Sequence, residues 1–135
     1  MSKPTEKEFN IVIGNTKDLG IYGFADDMYR SKHKVDLERE RQDLRNDFEN
    51  FKLCCEWLSQ CKTTKTTTIK SIGSYGLKEL IEHHYNAYIP NGTLIAAVLF
   101  LGISYKRHSE SQNISVGISK ACPFYKSQAD RFYIG

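Results

Sequence analysis

The side chains of this chain that could do bond-breaking chemistry are few and scattered. Asp26-Asp27, His83-His84, Cys55 and Cys122 are the candidates for a general acid or base, a nucleophile or a metal ligand. Each also has a plainer reading. Adjacent carboxylates in a turn suit a helix cap or a solvated loop. His83 and His84 fall at the end of a predicted helix, where an imidazolium complements the negative pole of the helix dipole. Cys54 and Cys55 sit on the apolar face of another predicted helix, where a free cysteine packs as a small hydrophobe. The four cysteines, Cys54, Cys55, Cys61 and Cys122, contain no C-x-x-C pair and fit no zinc spacing. There is no G-x-S-x-G, no H-E-x-x-H and no glycine-rich phosphate loop. The expectation is therefore a chain that is not an enzyme and that uses no metal and no cofactor.

Binding chemistry is better represented. Lys62, Lys65, Lys70, Lys78, Lys106 and Arg107, with Tyr75 and Tyr105 available for stacking, could form a patch that holds phosphates. The net charge of +3 is mild for a dedicated duplex binder and has the wrong sign for an acidic mimic of nucleic acid. The chain also has eight tyrosines, seven phenylalanines and a tryptophan, more aromatic surface than a domain of 135 residues can bury. Exposed aromatic and arginine side chains are what interface hot spots are made of. Tyr75, Lys78, Tyr88, Lys106 and Arg107 are the candidate partner contacts.

The elements that must carry these residues read as one α+β domain. Residues 1–8 are polar and expected to fray. Phe9–Ile13 is β-prone and stops at Gly14-Asn15. Gly20–Phe24, with a glycine on each side of Ile21-Tyr22, reads as a second short strand or a loop, and as a strand it could form a hairpin with the first. Leu37, Leu44, Phe48, Phe51, Cys55 and Leu58 keep helical spacing, which predicts one long helix over residues 35–61. Arg41 interrupts that stripe and is expected to snorkel at its edge. Such a rod would be about 40 Å long and leaves open a homodimer through helix 35–61. Five threonines between Thr63 and Thr68 favour an extended link. A helix over 75–85, with Ser74 as N-cap, precedes Pro90. A buried helix over 93–101 follows, capped by Asn91 or Thr93 and ended by Gly102 in the left-handed region. Gly76, Asn91, Gly92 and Gly102 are read as structural. Residues 103–108 and 114–118 read as strands, 109–113 as a turn, and the ending DRFYIG as a segment that docks on the core. The apolar run Leu94–Leu101 is too short for a membrane span, which needs about 20 residues. The first eight residues have no apolar leader core, so reduced thiols in a cytosolic compartment are expected.

One stretch carries a family signature. Thr67-Thr-Ile-Lys, Ser74-Tyr-Gly-Leu-Lys, Tyr88-Ile-Pro-Asn-Gly, Leu94-Ile-Ala-Ala, Gly102 and Asn113 together resemble a set of small proteins encoded by phages, plasmids and other mobile elements of bacteria. Those proteins share the pattern TxTI…SSYGLKH…YVSNGxFIAAxLxxGF…N. The resemblance covers residues 66–118. It departs from the pattern at Ile72-Gly73, where polar residues are expected, and at Pro90, where a small polar residue is expected. It implies a mobile-element origin and the cytoplasm of a bacterial host, and no activity. Together with the aromatic surplus, it suggests a small binding protein that occupies a surface on a host or defence-system protein, an anti-defence inhibitor of the anti-CRISPR kind. The alternative is a sequence-tolerant nucleic-acid binder using the lysines and tyrosines named above.

Overall fold

A computed structural model of the chain describes residues 3–67 and 71–119. Lys70, Cys122 and the ending DRFYIG, all singled out above, lie outside the described residues. The elements follow in the order α1 (Glu6–Gly14), β1 (Leu19–Gly20), β2 (Gly23–Phe24), α2 (Asp27–Lys32), α3 (Leu37–Arg45), α4 (Phe48–Ser59), β3 (Ile72–Gly73), α5 (Ser74–Tyr85), α6 (Asn91–Leu101), β4 (Tyr105–Arg107) and β5 (Ile114–Val116). The class is α+β.

The core is built around α6. Every residue from Asn91 to Val98 is buried, and Leu94 to Val98 are fully so. A helix apolar on all sides has to be surrounded, and α4, α1, α5 and β2 all pack on it. It ends at Gly102, whose φ of 71° is the left-handed value expected there. Phe9 of α1 stacks on Phe51 of α4 with ring centroids 4.3 Å apart, and Phe100 of α6 meets Phe51 edge-on at 5.5 Å.

Expectations for the start of the chain change. Phe9–Ile13 is helix, not strand. Thr5 and Glu8 form a reciprocal capping box, so Glu6–Glu8, expected to fray, instead make the first turn of α1. Phe9 and Ile13 then bury one face at helical spacing. Without that strand, Gly20–Phe24 pairs within its own neighbourhood: β1 and β2 form an antiparallel hairpin whose two-residue turn is Ile21-Tyr22. Ile21 turns inward and Tyr22 outward.

The long helix is two helices. It breaks at Asn46-Asp47, where Asn46 caps α3 and Asp47 opens α4. The carboxylate of Asp47 accepts from Asn50 Nδ2 (2.8 Å) and from Thr93 Oγ1 of α6 (2.6 Å). The break is thereby pinned to the core helix, and the rod on which a dimer through 35–61 would rest does not form. Arg41, expected to snorkel, instead reaches inward to the carbonyls of Ile13, Thr16 and Leu19.

Asp47 is a test of this pin. Burial raises its pKa above the ordinary 3.8, against the lowering effect of the hydrogen bonds from Thr93 and Asn50. The folded chain therefore holds this proton more tightly than the unfolded one. Asp47 lowers stability progressively as pH rises from its ordinary value through the raised one. Thr93→Val removes a donor and leaves Oδ2 without it. The expected loss is about 1–3 kcal/mol near neutral pH, shrinking toward about pH 4 as the carboxyl protonates. Urea titrations at several pH values measure both. A loss that does not change with pH would show that Asp47 is not its source.

The second sheet is antiparallel, in the order β3-β5-β4, with Ile72 opposite Val116 and Lys106 opposite Ser115. The strands expected over 103–108 and 114–118 are thus present in shortened form. The start of the threonine-rich link lies beside this sheet: Thr63 bridges Ile118, and the Thr64 N–H donates to the Gly117 carbonyl at 2.7 Å. The expected caps of α5 and α6 do other work. Gly73 is the N-cap of α5, and Ser74 Oγ instead accepts from the Ile114 N–H at 3.1 Å. Pro90 is the N-cap of α6, so Asn91 and Thr93 are free to turn their side chains toward the hairpin and Asp47.

Candidate functional site

Four tyrosines from four separate segments line one cleft of about 540 Å³. Tyr22 is presented by the β1–β2 turn. Tyr29 comes from α2, where its ring stacks on His33 with centroids 4.2 Å apart. Tyr75 lies in the first turn of α5, and Tyr88 in the connection from α5 to α6. Tyr22, Tyr75 and Tyr88 are each more than half exposed, at 55%, 52% and 62%. Residues 110–113 close the remaining side.

Asn91 organises the floor. Its Nδ2 donates to the carbonyl of Tyr22 (3.0 Å) and to Asn113 Oδ1 (2.9 Å), with a longer contact to the Gln112 carbonyl (3.4 Å). This one amide links the first turn of the core helix to the hairpin and to the segment before β5. Three acceptors converge on the nitrogen, which fixes the amide's orientation. Its Oδ1 is buried with no donor among the described residues.

One part of the lining is a layered stack. Lys78 was expected to be an exposed contact, yet it is only 6% exposed. Its Nζ lies 4.7 Å from the centroid of the Tyr75 ring and 5.1 Å from that of Tyr88. It donates to Glu82 Oε1 at 2.9 Å. The rings and the carboxylate replace the water that a buried ammonium loses. Glu110 lines the other side and pairs with Lys32 at 2.8 Å. Its backbone N–H donates to Asp26 Oδ2 (3.1 Å), while Asp26 Oδ1 caps α2 through the Tyr29 N–H (2.7 Å). These backbone hydrogen bonds, from Tyr29 first and then Glu110, hold the Asp26 carboxyl below its ordinary value.

Of the residues singled out from the sequence, the cleft gathers Tyr75, Lys78 and Tyr88. Lys62, Lys65, Lys106 and Arg107 are exposed but do not line it. Arg107 is paired with Asp18, its guanidinium 3.7 Å from the centre of the Phe24 ring. Two cations of the expected phosphate patch are therefore already matched within the chain. Tyr22 and Tyr29 were not named as contacts, and Asn113 stood only in the family-like pattern. They are distant in sequence from residues 75–91 and are brought beside them by the fold: the hairpin carries Tyr22, α2 carries Tyr29, and Asn91 holds Asn113.

Among the described residues, the side chains considered for catalysis do not assemble; Cys122 lies outside them. Asp26 caps α2 and Asp27 pairs with Arg30. His83 opens on a shallow hollow beside Glu79 and Asn86, away from Asp26. Burial pushes the Cys55 thiol up to about 12 and Cys54 well above its usual value, so neither is a thiolate at neutral pH. A second cleft, of about 480 Å³, runs along α4 and borders Cys55 and Leu53. His108 Nε2 and Ser115 Oγ lie 2.8 Å apart across β4 and β5, a pair the sequence reading did not weigh; neither of these two clefts opens on it. Among the described residues no group of three or more His, Cys, Asp and Glu is placed to hold a metal ion. Among them, too, no helix is long and apolar enough to cross a membrane.

Comparison with protein-family models, with curated proteins and with solved structures finds no match to this chain. What the site can do is therefore argued from its chemistry. Tyrosine with serine and asparagine in one recess matches the residue types enriched in antibody contact surfaces. There, rigid amphipathic rings give contact area at low entropic cost, and short polar side chains adapt their hydrogen bonds.

Proposed function

We propose that this chain is a small binding protein that acts by occupying a surface on a host protein, with the tyrosine cleft as its contact surface. The observation that carries the reading is the convergence of Tyr22, Tyr75 and Tyr88, each over half exposed, on one recess with a polar floor. Large aromatic rings held at the surface are costly to solvate and are the side chains that dominate interface energetics. The mobile-element signature in residues 66–118 extends the proposal: the partner is a host or defence-system protein, met in a bacterial cytoplasm, and the outcome is inhibition.

Phosphate recognition by the lysines is the competing reading, and it is weaker on charge. Lys78 and Arg107 are engaged with Glu82 and Asp18, and the cleft's other charged lining residue, Glu110, is an acid.

The test is capture of partners from bacterial lysate by the tagged chain, with and without nuclease, read by mass spectrometry. A stoichiometric protein that survives nuclease is the expected result. Tyr75→Ala and Tyr88→Ala should each weaken its binding by about 30-fold or more, as hot-spot truncations of about 2 kcal/mol do. Affinity should change little between about 50 and about 200 mM salt, whereas a phosphate binder would lose orders of magnitude. Recovery of nucleic acid alone, or a steep salt slope with tyrosine variants unaffected, would overturn the reading.

A further inference from the structure

We propose that Lys78 and Glu82 are positioning residues of the tyrosine cleft, an internal clamp that holds the rings of Tyr75 and Tyr88 in the arrangement a partner meets; this rests on reading the cleft as the contact surface. Lys78 has a stem long enough to carry its charge into water, yet it keeps Nζ between two rings with its side chain 8% exposed. Helix stability does not account for the placement. A lysine four residues before a glutamate is the weaker orientation of a helical ion pair, and burying it costs solvation.

What the placement does is join two segments. Tyr75 belongs to α5 itself, whereas Tyr88 lies past its end, after Asn86 has turned the chain through a left-handed conformation (φ 52°). The ammonium touches both rings. Glu82 completes the join. Its Oε1 takes the Lys78 proton donor, and its Oε2 accepts from the Ile89 N–H at 3.2 Å. Its main-chain carbonyl accepts from the N–H groups of Asn86 and Ala87. One residue thus holds the turn on both sides of Tyr88. Rings fixed beforehand lose less freedom when a partner covers them. The charges of the clamp are spent on each other inside the wall, so the contact offered outward is ring, hydroxyl and amide.

The test uses the chain alone, with 3-fluorotyrosine placed singly at position 75, 88 or 105, Tyr105 serving as an exposed ring on β4 away from the clamp. Lys78→Met keeps the stem between the rings and removes the charge. The expected result is a shift and broadening of the fluorine signals at both 75 and 88, with 105 unmoved. Lys78→Arg, which keeps a cation over the rings, should restore narrow signals at both. Unchanged signals at 75 and 88 in Lys78→Met overturn the proposal, as does an equal disturbance at 105, which would mark a general loosening. If Lys78→Met does not fold, Glu82→Gln decides: it should move the signal at 88 more than that at 75, and no movement at 88 overturns the clamp. The readout needs no partner, so a failed lysate capture beside these shifts would sink the functional reading and leave the clamp standing, and the reverse holds.

Discussion

Gly92→Ala is expected to abolish folding or to remove most of the chain's stability. A β-carbon at position 92 would lie 1.9 Å from the carbonyl oxygen of Gly20 and 2.8 Å from the carbonyl of Ile21. Both obstacles are backbone, so no side chain can swing aside. The contact cannot simply open either, because the Gly92 N–H donates to the Ile21 carbonyl at 2.9 Å and Asn91 holds the Tyr22 carbonyl from the same turn. To admit one methyl group, the first turn of α6 must leave the hairpin, and α6 is the helix on which the core is packed. Ordinary overpacking costs about 1–3 kcal/mol. Here a cost of about 4 kcal/mol or more is expected, a large share of the 5–15 kcal/mol that folded domains have. Gly76→Ala is the matched control. It lies in α5, its β-carbon would meet only the Ile72 side chain at an ordinary 3.6 Å, and alanine is the better helix former by about 0.5–1 kcal/mol. Soluble yield, helical circular dichroism and urea midpoints of the two variants should diverge sharply. A Gly92→Ala chain as stable as the control would mean that α6 and the hairpin do not pack as described.

Local signals in the sequence located the elements of the second half of the chain better than those of the first, where α1 read as a strand and α2 left no signal. They could not say what the elements met. The end of α6 at Gly102, the helix before Pro90 and the strands either side of 109–113 were legible because each depends on a few neighbouring residues. The capping box Thr5-x-x-Glu8 was equally local, yet the β-branched run that follows it suggested a strand. The break at Asn46-Asp47 left no mark in the spacing, since Leu44, Phe48 and Phe51 keep helical intervals across it. What decides it is Thr93, far away in the chain, donating to Asp47. The same holds for the site. Tyr75 and Tyr88 could be named from the surplus of aromatic side chains, but Lys78 looked like a surface charge because the spacing does not show that a second ring, from beyond the end of α5, closes over it. Tyr22 was beyond reach for a stronger reason: it joins the cleft through contacts of the hairpin with Asn91 and Gly92, which lie far away in the chain.

Arg41→Ala is expected to cost about 3 kcal/mol and to loosen the hairpin before the rest of the chain. The guanidinium leaves α3 and reaches the carbonyls of Thr16 (2.6 Å) and Leu19 (2.9 Å) with one nitrogen and that of Ile13 (2.8 Å) with the other. Ile13 lies in the last turn of α1, which has no basic residue of its own, so Arg41 supplies the positive charge that this helix end favours. Hydrogen bonds to a charged donor are worth about 1.5–3 kcal/mol each. Arg41 is only half-buried, so water takes up part of what alanine gives away, and the sum is set near the value of one or two such bonds. Lysine should recover little, because a single ammonium cannot reproduce a planar fork that serves three carbonyls. The loss should be local as well as global. Leu19 is the first residue of β1, and the Ile21 N–H donates to the Glu40 carbonyl beside Arg41 in α3. Arg41 therefore acts on Tyr22 at one remove, by holding the base of the turn that presents it. Amide exchange should accelerate first in residues 19–24, while α4 and α6 exchange only with global unfolding. Captured partner should also be lost at temperatures well below the melting midpoint. Uniform acceleration across the chain would instead assign Arg41 to the core and detach it from the cleft.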